Sequence, residues 1–217
     1  MPRISAFTSL AAGLCMAFAA FTASATIVSG AVTGGNTGGA FVKLPVPLTG
    51  STPGNTVGAD NFQSPNLFGF DESQNILLTS ALDMDIGATI AAGTQVASHY
   101  IFFDPTNTNP AGHIIGTVDF DSDVLGIITS TGLLNISDIL ANTGVTYLNP
   151  GLRGLEAGDS VTISGTRQIL FNTFASSPGD YVRVITAFSP GAVIPEPASI
   201  ALVMAALAGV GIARRRR

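Results

Sequence analysis

Thr117-Val118-Asp119-Phe120-Asp121 alternates polar and apolar residues one by one. Successive side chains of an extended chain leave on opposite faces, so Val118 and Phe120 are expected on a core and Asp119 and Asp121 toward water. Tyr181-Val182-Arg183-Val184-Ile185 repeats the pattern, with Val182 and Val184 on one side and Arg183 on the other. Outward from these two stretches the apolar segments stay short and β-branched. Gly, Pro, Asn and Asp interrupt them every 8 to 15 residues or so, a spacing of about the size that all-β domains show. Strands are expected at 26–32, 40–46, 74–82, 95–103, 114–120, 125–129, 145–147, 160–164, 168–174 and 181–188. That number fills two sheets, so the pattern predicts an all-β fold, a jelly-roll-like β-sandwich in one domain. A single helical turn is expected over 138–142, with Ser137 as N-cap and Gly144 near its end. Residues 26–67 are rich in Gly and Pro and read as an edge strand followed by long loops.

Charge divides the chain. Residues 26–194 carry four basic side chains, Lys43, Arg153, Arg167 and Arg183, against 13 acidic ones, a net charge of −9. Nucleic-acid and anionic-lipid binding both depend on clustered Lys and Arg, so neither is expected of this body. Such acidity keeps a protein soluble and can attract divalent cations.

Both ends read as addresses. Arg3, the apolar stretch 10–21 and Ala23-Ser24-Ala25 have the order of a signal peptide with an A-x-A cleavage site, which makes 1–25 a signal peptide and Thr26 the first mature residue. Export through Sec-type machinery follows. The one cysteine, Cys15, falls within that signal and follows Leu14, where a lipoprotein signal needs a small residue. The mature chain therefore has no thiol, which excludes disulfides, thiolate metal sites and cysteine nucleophiles.

At the other end stand Pro195-Glu196-Pro197, an uncharged apolar run 198–213, and Arg214, Arg215, Arg216 and Arg217. As a transmembrane helix the run spans about 24 Å against a hydrocarbon core of about 30 Å, short enough to suit a temporary hold in the inner membrane. The arginines stay cytoplasmic by the positive-inside rule, and the two prolines keep the Pro-Glu-Pro extended on the far side. This tail, 195–217 with the residues just before it, resembles the PEP-CTERM sorting signal. The resemblance implies recognition by an exosortase, a membrane-embedded transpeptidase-like enzyme, transient inner-membrane anchoring, and release to the cell surface or medium of a bacterium that makes exopolysaccharide.

The domain at 26–194 offers little chemistry. A Ser/His/Asp hydrolase site would need Ser98 or Ser177, His99 and Asp104, yet Ser98 and His99 are neighbours on opposite strand faces and there is no G-x-S-x-G elbow. His99 and His113 could meet across a hairpin closed by 104–112, without any H-x-H or H-E-x-x-H pattern to support a metal site. Asp119, Asp121 and Asp123 form the better constellation, with Asp83 and Asp85 as a second acidic pair. Carboxylates two apart can converge on a hard cation such as calcium, although Val124 and Ser130 occupy the glycine and glutamate positions of an EF-hand loop. A solvated sheet face explains the same residues. Residues 148–159 read as a structured corner, with a type II turn at Pro150-Gly151 and an Arg153–Glu156 pair. Phe62, Phe68 and Phe70 are candidates for sugar stacking, or for a minor core. The expected function is a non-enzymatic surface or matrix protein without a cofactor, associated with exopolysaccharide. The alternative is a calcium- or glycan-binding module, and a secreted hydrolase is disfavoured.

Overall fold

The computed structural model describes residues 25–106 and 111–188. The sorting tail with Pro195, Glu196, Pro197 and Arg214–Arg217, the apolar run 198–213, and Ala23 of the cleavage site lie outside them. Among the described residues no helix is long and apolar enough to cross a membrane.

The chain is mostly β. Strands β1 (Ile27–Gly35), β7 (Gly112–Phe120), β11 (Gln168–Ala175) and β10 (Ser160–Gly165) form an antiparallel sheet in that order. A six-stranded sheet runs β2 (Phe41–Lys43), β4 (Leu67–Leu77), β6 (Gln95–Phe103), β12 (Asp180–Ala187), β8 (Val124–Ile128) and β5 (Ile86–Gly87). Its β2–β4 edge is parallel. Two short strands, β3 (Thr56–Val57) and β9 (Thr146–Tyr147), pair in parallel among the loops. One short helix, α1 (Thr131–Ile136), continues into a 3-10 turn at Ser137–Leu140.

The two large sheets share an apolar layer. Ile114, Val118, Phe120, Val161, Ile169 and Phe171 of the smaller sheet meet Leu67, Ile101, Phe103, Ile127, Val182 and Val184 of the larger. The alternation around Val118 and Phe120 is thus realised, and Asp119 and Asp121 are half-exposed. The larger sheet has a second dry face. Phe68, Phe70, Tyr100, Phe102, Tyr181 and Ile185 pack there beneath Leu44, Leu48, Leu78, Leu82, Leu134 and Leu140 from loops and the helical turn. The central strands β6 and β12 are therefore buried along nearly their whole length. Arg183, which alternation sends away from the core layer, meets this second layer and not water.

Four local expectations are corrected. Of the strand expected at 74–82, residues 74–77 are the end of β4, which begins at Leu67, and 78–82 lie beyond it. Leu67 faces the inter-sheet layer and Phe68 and Phe70 the outer one, while Gly69 leaves room for Ile101, whose Cδ1 would lie 2.8 Å from a Cβ there and would have to shift. The phenylalanines expected as sugar platforms are core: Phe68 and Phe70 are buried, and Phe62 packs against Phe68 and Phe102 at ring distances of 5.0 and 4.9 Å. The helix begins at Thr131, ahead of the expected 138–142, and only its 3-10 continuation at Ser137–Leu140 overlaps that turn; Ser137 is the C-cap of α1 and not an N-cap, and its hydroxyl donates to the Leu134 carbonyl. At the corner 148–159, Pro150–Leu152 form a 3-10 turn entered through a left-handed Asn149, and Arg153 turns to Asp138 rather than to Glu156.

Candidate functional site

The ionisable residues of the domain gather in three places. The first lies on the outer face of the larger sheet. Glu72 of β4 is buried, and four donors converge on its two oxygens: Arg183 Nε (2.6 Å) and Ser98 Oγ (2.5 Å) on Oε2, Arg183 Nη2 (2.8 Å) and Tyr147 OH (2.6 Å) on Oε1. Arg183 Nη1 donates to Ser137 Oγ and to the Leu134 carbonyl, so the guanidinium ties the helical turn to the sheet. Asp138 accepts from Arg183 and, through both oxygens, from Arg153, which also donates to Asn135. Burial opposes the charge on Arg183, but the Glu72 carboxylate and its hydrogen bonds outweigh it and hold the guanidinium more firmly protonated than usual. Burial pushes the Tyr147 hydroxyl far above its ordinary range, and Glu72 adds to this, so Tyr147 serves as a donor. Both oxygens of Glu72 and all three nitrogens of the Arg183 guanidinium are engaged within this knot, which ties the helical turn to the sheet.

The second place faces the inter-sheet layer. His99 Nδ1 lies 2.8 Å from Asp71 Oδ1 and its Nε2 lies 3.0 Å from Thr186 Oγ1. Asp71 also accepts from the Ile27 amide and the Thr26 hydroxyl and pairs with Lys43 at 2.8 Å. Burial works against the Asp71 charge, yet the His99 hydrogen bond and electrostatic pull, with Lys43 and Thr26, carry its pKa well below the carboxylate range. Carboxylate, imidazole and hydroxyl have the connectivity of a hydrolase triad. However, His99 and Thr186 are both 0 % exposed, which leaves the hydroxyl out of reach of a substrate. The residues proposed from sequence for such a site separate: Ser98 donates to Glu72, Ser177 to Asp60, and Asp104 accepts from the Phe62 amide. Nor do the histidines meet. His113 belongs to the smaller sheet, bonded to Asn172 and stacked on Phe174 at 3.8 Å.

The third place is acidic. Glu156 and Asp159, from the corner before β10, and Asp180, the first residue of β12, bring one carboxylate oxygen each to within 4.8 Å of one another. Asp159 is held by the Phe174 amide (2.7 Å) and the Glu156 amide (3.2 Å). Asp180 is aimed inward by Gly179, whose φ of +91° places Asp180 at the start of the strand and whose missing Cβ would lie 2.7 Å from the Phe103 carbonyl. Asp180 is 0 % exposed and neither of its oxygens has a hydrogen-bond partner. Burial first, then the charges of Asp159 and Glu156, push its pKa well above the ordinary range; the Thr173 hydroxyl, placed to donate toward it, opposes this only in part.

The aspartates singled out from sequence are spread over separate partners. Asp119 accepts from Ser29 and Gln168, Asp121 from the Thr26 amide at 2.8 Å, and Asp123 from Arg167 at 3.0 Å. Among the described residues, the acids whose ligand atoms converge are Glu156, Asp159 and Asp180. Sequence reading passed over these because they are 24 residues or so apart in the chain and meet only through sheet pairing; the signal available was an acid directly after Pro178-Gly179 and two more in a tight corner.

The comparisons with known proteins bear on the tail. Residues 193–217 match the family model of the PEP-CTERM protein-sorting motif. The C-terminus is a PEP-CTERM sorting signal. No curated protein and no solved structure matches the chain. The PEP-CTERM signal implies export, anchoring in the membrane before processing, and an exosortase as the processing partner.

Proposed function

We propose that the chain is a non-enzymatic structural protein of the cell surface or extracellular matrix, exported through Sec-type machinery, released by an exosortase and associated with exopolysaccharide. The single observation that carries this reading is the PEP-CTERM motif at residues 193–217. The domain adds support. His99, His113 and the buried Ser98 are consumed by hydrogen bonds that fasten strands together, the use expected of a scaffold. We read the two facing sheets as a β-sandwich of jelly-roll-like type. Cleavage after Ala25 fits the fold, because Thr26 is held by both backbone groups: its amide donates to Asp121 Oδ1 and its carbonyl accepts from the Asp121 amide at 3.1 Å.

Intact mass and fractionation of the native protein test the reading. The expected product lacks residues 1–25 and the Arg-ended apolar run, and is found at the surface or in the medium. A chain still ending at Arg217 in the inner membrane of cells with an active exosortase overturns it.

A further inference from the structure

We propose that Glu156, Asp159 and Asp180 form a calcium site at the corner where β10, β11 and β12 meet. Buried polar groups are almost always satisfied, and an orphan among them points to a water or ion that belongs there. Here the orphan is a carboxylate: both oxygens of Asp180 are enclosed and make no hydrogen bond of good geometry, with the Thr173 hydroxyl as the one neutral donor beside them. The two nearest side chains of that kind are further carboxylates, so the corner concentrates negative charge exactly where desolvation penalises it. One proton can relieve one carboxyl. A divalent cation relieves all three.

The donor set selects the ion. All three ligands are carboxylate oxygens, with no imidazole or thiolate among them, which suits a hard cation rather than zinc or copper. Ligands on opposite sides of Ca²⁺ stand about 4.6–5.2 Å apart, against about 4.0–4.2 Å around Mg²⁺. The three carboxylate oxygens lie within 4.8 Å of one another, inside the span of a calcium shell. The burial is graded from Asp180, fully enclosed, through Asp159 to the exposed Glu156, so an ion enters from the Glu156 side and waters complete its shell there. Glu156 also lines an open cleft of about 180 Å³ with Gly154, Leu155 and Pro178. Arg153 borders that cleft, but its guanidinium is committed to Asp138 and Asn135. The ligands come from two chain segments, so the ion would cross-link the 148–159 corner to the start of β12. This site stands on its own geometry and does not depend on how the tail is processed.

The test is calcium binding by the purified full-length protein after chelator treatment, by calorimetry and thermal unfolding. One Ca²⁺ per chain with a dissociation constant at or below the millimolar range is expected, as for extracellular calcium modules. At saturating calcium the melting temperature should rise by about 5 °C, with a much smaller effect of Mg²⁺. Asp180→Asn should abolish both signals, and Asp121→Asn should keep them. If Asp180→Asn does not fold, Glu156→Gln at the exposed end is expected to weaken binding at least tenfold in a folded protein. No binding at 10-fold the millimolar range, binding that survives both variants, or an equal response to Mg²⁺ overturns the proposal.

Discussion

Glu72→Gln isolates the charge of the buried knot from its shape. In the native protein four donors share two carboxylate oxygens, and two of them belong to one guanidinium. The amide keeps one acceptor oxygen but replaces the other by an NH₂ group, which then faces donors. Ser98 and Tyr147 can turn their hydroxyls and accept instead; Arg183 has no such option. It loses one charge-assisted bond, worth about 1.5–3 kcal/mol, and keeps its charge in a site 0 % exposed. Removing one member of a buried pair costs about 3–5 kcal/mol. Asp138, 3.2 Å from Nη2 and 40 % exposed, compensates in part and puts the expectation near the lower end, about 3 kcal/mol. In a domain of this size that lowers the melting temperature by about 10 °C.

The assay is reversible urea or thermal unfolding, with hydrogen exchange as a second readout. Because Arg183 Nη1 holds the Leu134 carbonyl and Ser137 Oγ, exchange should accelerate through residues 131–140 more than in the smaller sheet. The double variant Glu72→Leu with Arg183→Met should regain most of the lost stability, since apolar side chains of similar volume satisfy a dry site. A loss under about 1 kcal/mol for Glu72→Gln would refute the reasoning, because it would mean that the knot is hydrated and the pair no better than a surface one.

Three further outcomes are expected. Burial pushes the Asp104 pKa up to about 6, partly offset by the Phe62 amide and raised again by Asp60, so the folded state binds this proton more tightly than the unfolded chain. Its stabilising contribution is present below about pH 4 and is lost as the pH rises to 6, by about 3 kcal/mol, and Asp104→Asn should flatten that slope in pH-dependent unfolding. Asp71 has the opposite sign: its depressed pKa contributes stability above about pH 4 that is lost in stronger acid, and Asp71→Asn should remove that acid limb. If the mature chain starts at Thr26, its α-ammonium replaces an amide 2.8 Å from Asp121 Oδ1. A protein beginning at Thr26 should then melt higher at pH 6 than one with an added N-terminal residue, lose that advantage as the pH rises past about 8, and show no difference in the Asp121→Asn background.

The strand pattern was legible wherever one face of a strand meets the core and the other meets water. Val118 and Phe120 against Asp119 and Asp121 are the clearest case, and the span 95–103 coincides with β6. Legibility failed where a strand is buried on both faces. Leu67-Phe68-Gly69-Phe70-Asp71-Glu72 has no polar alternation to read, because its acids turn inward to His99 and to Arg183 while its glycine makes room for Ile101. The same cause hid the sites. Asp71 and Glu72 meet partners 28 and 111 residues away, and Asp180 meets acids 24 and 21 residues earlier in the chain. The tail was fully readable because its signal is contiguous and needs no fold to assemble it.

The use of the four bases decides what the surface can attract. Lys43 pairs with Asp71, Arg153 with Asp138, Arg167 with Asp123 and Arg183 with Glu72, so every cation of the domain is already matched to an acid. The excess of nine negative charges in 26–194 is left without a base of its own. A polyanion approaching this domain meets net repulsion, felt over about 10 Å at 0.1 M salt and over about 30 Å at 0.01 M. If the matrix glycan around the protein is acidic, direct contact through basic side chains is therefore unavailable to it, and contact has to be neutral, through hydroxyl and amide groups, or mediated by cations. Binding of an acidic glycan that strengthens with added calcium and weakens with chelator would follow the second route. Binding that strengthens as salt is removed, with no divalent ion present, would contradict the charge argument outright.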